Sequence, residues 1–170
     1  MLHIRVAVLA FEGVSLFHLS VPGMVLGTAQ PAPDGPRYEI NYCAEVPGVI
    51  STDQDIGLSV SLGLELMETC DIIIIPAWGD QSLVASPQLV EALQLANAQG
   101  KLIVGLCLGA FVLGDAGLLD GKEATTTSNL IPMLRQQAPK VKVVDDRRFV
   151  DTERSSPQLG YRLASMAHSM

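Results

Sequence analysis

The residue best placed for covalent chemistry is Cys107. It stands in Leu102-Ile-Val-Gly-Leu-Cys-Leu-Gly-Ala-Phe-Val-Leu, where a strand-like apolar run gives way to a helix-forming one within three residues. A residue at such a junction is forced into a strained, solvent-facing backbone, and the small neighbours Gly105, Gly109 and Ala110 permit the tight turn. This is the cysteine form of a nucleophile elbow. The helix N-terminus that follows adds partial positive charge, which favours the thiolate, and the amide of Leu108 offers a donor to an oxyanion or bound anion. A buried structural cysteine fits the local pattern equally well.

A thiol nucleophile requires a base within reach, and its leaving group requires an acid. Of the three histidines, His3 opens the first strand and His168 lies near the end of the sequence, which leaves His18 in Leu16-Phe-His-Leu-Ser-Val-Pro. It can pair with the thiol as imidazolium, or simply line a pocket from an apolar helix. Glu12, in Phe11-Glu-Gly, is a candidate for the pocket mouth, with a solvated loop carboxylate as the alternative. Trp78, the single tryptophan, can stack on a ligand or pack at a subunit surface. Cys43 and Cys70 fall within or beside strands and read as buried and inert. Three cysteines without paired spacing indicate neither a disulfide framework nor a Cys/His zinc site, and Asp145-Asp146 is too small a cluster for a metal. No metal or cofactor is expected.

The elements that must hold these residues alternate. Strands are expected at Ile4–Ala10, Tyr38–Ala44, Asp71–Pro76, Leu102–Leu106 and Lys142–Val144. Helices are expected at Ser15–Ala29, Leu62–Met67, Pro87–Gln99, Leu108–Leu118 and Asn129–Gln137. Ile72 to Ile75 is continuously apolar and β-branched, as a central strand buried on both faces requires. Ser86-Pro87 reads as an N-cap followed by proline at the first helical position, and Gly100 as a stop. Val46 to Val60 reads as a β-hairpin turning at Thr52-Asp-Gln-Asp. The pattern is α/β, a mostly parallel sheet with helices on both faces.

With 170 residues, 48% hydrophobic and 17% charged, the chain is long enough for one compact domain and too apolar to be disordered. No run offers the roughly 20 apolar residues of a membrane span, and no export signal is evident. Reduced thiols and the missing leader give a cytoplasmic expectation. A net charge of −7, with no basic cluster beyond Lys140, Lys142, Arg147 and Arg148, argues against direct nucleic-acid binding.

The chain resembles the DJ-1/PfpI superfamily, related to class I glutamine amidotransferases. Within it the likeness is to the amidase-like N-terminal domains of AraC-type transcription regulators and to isonitrile hydratases. The resemblance is carried by Val6-Ala-Val-Leu-Ala-Phe-Glu-Gly-Val, Leu19-Ser-Val-Pro, Asp71-Ile-Ile-Ile-Ile-Pro-Ala-Trp, the long stretch from Gly105 to Thr126, and Val144-Asp-Asp-Arg-Arg-Phe-Val-Asp. It implies a flavodoxin-like three-layer sandwich over residues 1–151, a homodimer, and a small-molecule pocket at the elbow near the subunit interface.

The same resemblance implies three groups around the thiol. The acidic residue four positions before the proline of the first helix is here His18, which would face Cys107. The loop after the central strand, here Ala77, Trp78 and Gly79, would supply a backbone N–H. The histidine expected after Ala-Thr-Thr, or directly after the cysteine, is here Thr127 or Leu108. Two usual side-chain partners are thus replaced. Beyond Asp151 the family continues through a strand and a long apolar helix. Residues 152–170 depart from that pattern and read as a divergent or truncated tail, with Leu159, Leu163 and Met166 at helical spacing.

Three functions follow as expectations. The first is a ligand-sensing domain of the AraC-regulator type, without the DNA-binding half and without turnover. The second is a hydrolase or isonitrile-hydratase-like enzyme using Cys107 with His18. The third is a redox-sensing thiol protein, since exposed low-pKa thiols form sulfenic acid readily.

Overall fold

A computed structural model describes residues 3–27, 35–77, 84–153 and 162–166. Its centre is a six-stranded sheet built from β1 (His3–Leu9), β2 (Arg37–Cys43), β5 (Ile72–Ile75), β6 (Leu102–Leu106), β9 (Phe149–Glu153) and β10 (Arg162–Met166), in the order β2-β1-β5-β6-β10-β9. Every pairing is parallel except β9 with β10. Val6 to Leu9, Ile73 to Ile75 and Ile103 are almost fully buried, so the apolar runs form the sheet's two-sided core.

The strand order fixes where the helices lie. From β1 the chain moves outward to β2 and then returns across β1 to β5 and β6. Right-handed crossovers taken in opposite directions put their helices on opposite faces. Thus α1 (Leu16–Pro22), between β1 and β2, covers one face. The other carries α2 (Leu66–Thr69), which leads into β5, and α3 (Pro87–Ala98), which joins β5 to β6, and these two pack together. After β6 come α4 (Gly109–Asp115) and α5 (Ile131–Gln137), also packed on each other. The result is the doubly wound, flavodoxin-like α/β sandwich. At its switch point, between β1 and β5, the strand ends open a crevice.

Two short ribbons complete the frame. The hairpin β3 (Gly48–Ser51) and β4 (Gly57–Val60) is antiparallel and turns at the expected residues. The pair β7 (Glu123–Ala124) and β8 (Lys142–Val143) is parallel. The strand expected at Lys142–Val144 therefore belongs to this separate ribbon.

Several elements differ from the sequence reading for identifiable reasons. The first α-helix stops at Pro22, and the chain continues as a π-helical turn over Gly23–Gly27, because a proline cannot donate its backbone hydrogen bond. The helix after Cys107 ends at Asp115, before the left-handed Gly117 (φ +70°). Leu163 and Met166 stand in β10 and not in a helix. Their register, Leu163 with Ile103 and Met166 with Leu106, is set by the backbone ladder of β6. Leu159 lies outside the described residues.

Candidate functional site

Cys107 lies immediately after β6, and its backbone is left-handed at φ +55°, a rare conformation for a residue with a side chain. The residue is 9% exposed. Leu108 (φ −69°, ψ −11°) then leads directly into α4. Two glycines allow this turn. A Cβ at Gly105 would come within 2.9 Å of the Gly109 carbonyl carbon and 3.0 Å of Leu113 Cδ1, and a Cβ at Gly109 would collide with the Ile75 carbonyl oxygen. The start of α4 is therefore seated on the end of β5. Strand β5 pairs Ile75 with Gly105, and Ala77, two residues beyond the end of β5, is 2% exposed. Trp78 and Gly79 lie outside the described residues.

The elbow is held by a residue that sequence reasoning passed over. Thr126, 1% exposed, donates its hydroxyl to the Cys107 carbonyl at 3.0 Å, while the Ala110 amide reaches the same oxygen at 3.4 Å. Thr125 in turn donates to the Arg147 carbonyl at 3.1 Å. Thr127, the next residue, is half-buried and precedes a 3-10 turn over Ser128–Leu130. The Ala-Thr-Thr-Thr run thus acts through Thr126 on the backbone of the thiol-bearing residue. Only the run's place in the sequence hinted at such a role.

His18 and Glu12 are positioned from the other side of the switch point. The His18 ring stands 3.0 Å, through Nδ1, from the Ser15 hydroxyl, meets Phe17 edge-on with ring centroids 5.2 Å apart, and buries its Nε2. The segment carrying it is braced by the hairpin. Asp53 Oδ1 accepts from the Leu16 amide at 3.0 Å at the head of α1, the Asp53 amide donates to the Val14 carbonyl at 3.1 Å, and Gly13 donates to the Ser51 carbonyl at 2.8 Å. Glu12 is exposed, and its Oε2 accepts from the Ser51 amide at 3.1 Å. Cys107 and His18 both follow strands whose carboxyl ends lie on one side of the sheet.

The other two thiols are unsuited to chemistry. Burial pushes the Cys43 thiol up to about 12, with the nearby Cys70 and Glu65 adding to the rise. Burial also raises Cys70, against the opposing pull of Arg5 and Lys101. Among the described residues no group of three or more His, Cys, Asp or Glu side chains can hold a metal ion, and no helix is long and apolar enough to cross a membrane.

Fold and elbow together define a doubly wound α/β domain with a strained cysteine at the carboxyl end of its fourth parallel strand in space. The DJ-1/PfpI family model matches residues 4–156, and the chain belongs to that family. It is 31% identical, over 144 residues, to an uncharacterized protein in the cpoL 5' region of Streptomyces lividans, covering 79% of this chain and 95% of that one. It is 34% identical over 103 residues to the isonitrile hydratase of Pseudomonas putida, covering 54% of this chain and 45% of that protein. It is 29% identical over 100 residues to the HTH-type transcriptional regulator CdhR of Pseudomonas aeruginosa, covering 58% of this chain and 30% of that protein. The chain therefore spans less than half the length of the named hydratase and regulator. Among solved structures, an AraC family transcriptional regulator from Pseudomonas putida superposes with a TM-score of 0.72 at 19% identity, covering 96% of this chain and 83% of that one. Drosophila melanogaster DJ-1beta gives 0.75 at 17%, covering 98% and 83%.

Proposed function

We propose that the chain is a small-molecule-sensing domain of the kind found in AraC-type regulators, acting as a homodimer and leaving DNA contact to another domain or chain. The observation that carries this reading is an elbow kept in full beside altered partners. Cys107 retains its strained backbone, its glycines and the Thr126 hydroxyl, whereas His18, Leu108 and Thr127 occupy the positions where the family resemblance calls for an acid or a histidine. An elbow held without those partners serves a pocket that binds and does not turn over. The regulator relative supports the sensing role, and the net charge of −7 fits a domain that does not itself meet phosphate backbones. Calorimetric titration against small amides and isonitriles, with product analysis in parallel, tests it. Saturable binding without product is expected. Cys107-dependent hydrolysis of an amide, or hydration of an isonitrile to its formamide, would refute it.

A second reading is favoured by the Ser15 contact. A base oriented by a third group is the usual way to activate a nucleophile, and Ser15 fixes the His18 ring through Nδ1. On this reading the chain is a hydrolase or hydratase in which His18 exchanges protons with Cys107. Cys107→Ser and His18→Ala then each abolish turnover, and an unchanged rate in either removes that residue from the mechanism.

A further inference from the structure

We infer that the groove at the carboxyl ends of β1 and β2 binds a small organic cation, a protonated amine with a short apolar body, between Glu12 and Glu45. The groove has a volume of about 480 Å³, within the range of small-molecule sites, and lies on the carboxyl-end side of the sheet, the side on which α/β sheets take their ligands. Its walls explain an otherwise costly feature. Val46, Val49 and Val84 are the three most exposed large hydrophobic side chains among the described residues, at 76%, 73% and 71%, and all three line this one groove. Apolar area left in water at one concave place marks a surface meant to be covered.

The polar groups choose the occupant. Glu12 and Glu45 line the groove, and among the described residues no Lys, Arg or His does. Each carboxylate is held through one oxygen. Glu12 Oε2 accepts from the Ser51 amide at 3.1 Å, and Glu45 Oε2 accepts from the Ser86 hydroxyl, which also caps α3 by accepting from the Leu89 amide at 3.1 Å. Two negative groups, one held by a backbone amide and the other by the Ser86 hydroxyl, beside an apolar wall match an ammonium head on a hydrocarbon stem, and a carboxylate binds an N–H cation more strongly than a neutral donor. Cys107 does not line the groove, so this inference goes beyond the sensor reading and is tested without reference to the thiol.

The test is a calorimetric titration of the protein at low salt with n-butylammonium chloride, alongside 1-butanol and sodium butyrate. Saturable binding is expected for the ammonium ion alone, with a loss of about tenfold or more in affinity for Glu45→Gln and for Glu12→Gln, since a hydrogen bond to a charged group is removed in each. Equal binding of 1-butanol, no saturable binding, or unchanged affinity in both glutamine variants overturns it. Should Glu45→Gln fail to fold because it loosens Ser86, the exposed Glu12→Gln decides alone. A dimer that falls apart in the Val46→Ser, Val49→Ser double variant also overturns it, because the valines would then be covered by a second copy.

Discussion

Replacing Thr126 by valine keeps the shape of a fully buried side chain and deletes one hydroxyl, the donor to the Cys107 carbonyl at 3.0 Å. The carbonyl is not orphaned, because the longer contact from the Ala110 amide at 3.4 Å remains. The cost is therefore that of an ordinary internal hydrogen bond, about 1 kcal/mol, and not the larger penalty for a stranded buried acceptor. It is comparable with the roughly 1–2 kcal/mol that a left-handed backbone costs a residue with a side chain, so the hydroxyl offsets a sizeable share of the strain at Cys107. For a chain of this length, about 1 kcal/mol lowers the thermal midpoint by roughly 2–4 °C. Urea unfolding should show a lower midpoint with an unchanged slope. The local effect is read separately, as the rate of iodoacetamide alkylation at Cys107 in the folded protein. Thr126→Val should change that rate, and Thr126→Ser, which keeps the donor, should restore it. A Thr126→Val protein as stable as the parent to within about 0.3 kcal/mol, alkylated at the parent rate, would refute the assignment.

Three further outcomes are expected. Gly109→Ala should destabilise by roughly 3 kcal/mol, the upper part of the range for overpacking, because the added methyl meets the backbone carbonyl of Ile75, which cannot swing away. Circular dichroism melts check this, and a midpoint within a degree of the parent's would contradict it. Asp53→Ala removes the acceptor from the Leu16 amide at the head of α1 and should cost about 1 kcal/mol, measured by urea unfolding; no loss would show that the hairpin does not brace the helix. The folded Cys43 thiol titrates well above its ordinary value of 9.0, near 12, so the unfolded chain releases its proton first. Stability that Cys43 leaves intact below pH 9 should therefore decline as pH rises from about 9 toward 12. The difference between parent and Cys43→Ala unfolding curves at pH 7.5 and 10.5 isolates this contribution, and a difference independent of pH would contradict it.

What could be read from the residues was whatever a short window contains. Ile72 to Ile75 is a two-sided strand whatever surrounds it, and Gly105-x-Cys107-x-Gly109 announces a turn too tight for larger side chains. Ser86-Pro87 marked the start of α3 and the hairpin turn was visible at Thr52 to Asp55. The features that escaped depend on partners far along the chain. Thr126 is one of three adjacent threonines, and only the folded arrangement decides which faces the elbow. Leu159, Leu163 and Met166 carry a faint helical spacing, which the pairing with β6 overrules at Leu163 and Met166. The exposed valines 46, 49 and 84 come together only because the hairpin and the loop before α3 converge beside the end of β1. The family resemblance supplied the sandwich and the elbow's expected partners, and it did not point to the brace between Asp53 and α1.

The place of β10 has a consequence for how the chain is made. Strand β6, which leads into Cys107, is flanked on one side by β5 and on the other, among the described residues, by residues 162–166. While the chain is emerging from the ribosome, β6 and its elbow remain a sheet edge with open hydrogen-bonding groups until those late residues arrive, and an open edge invites pairing with another nascent chain. Nonsense or frameshift changes downstream of the elbow would then act less by altering the thiol than by leaving its strand uncovered, and their first symptom would be insoluble protein.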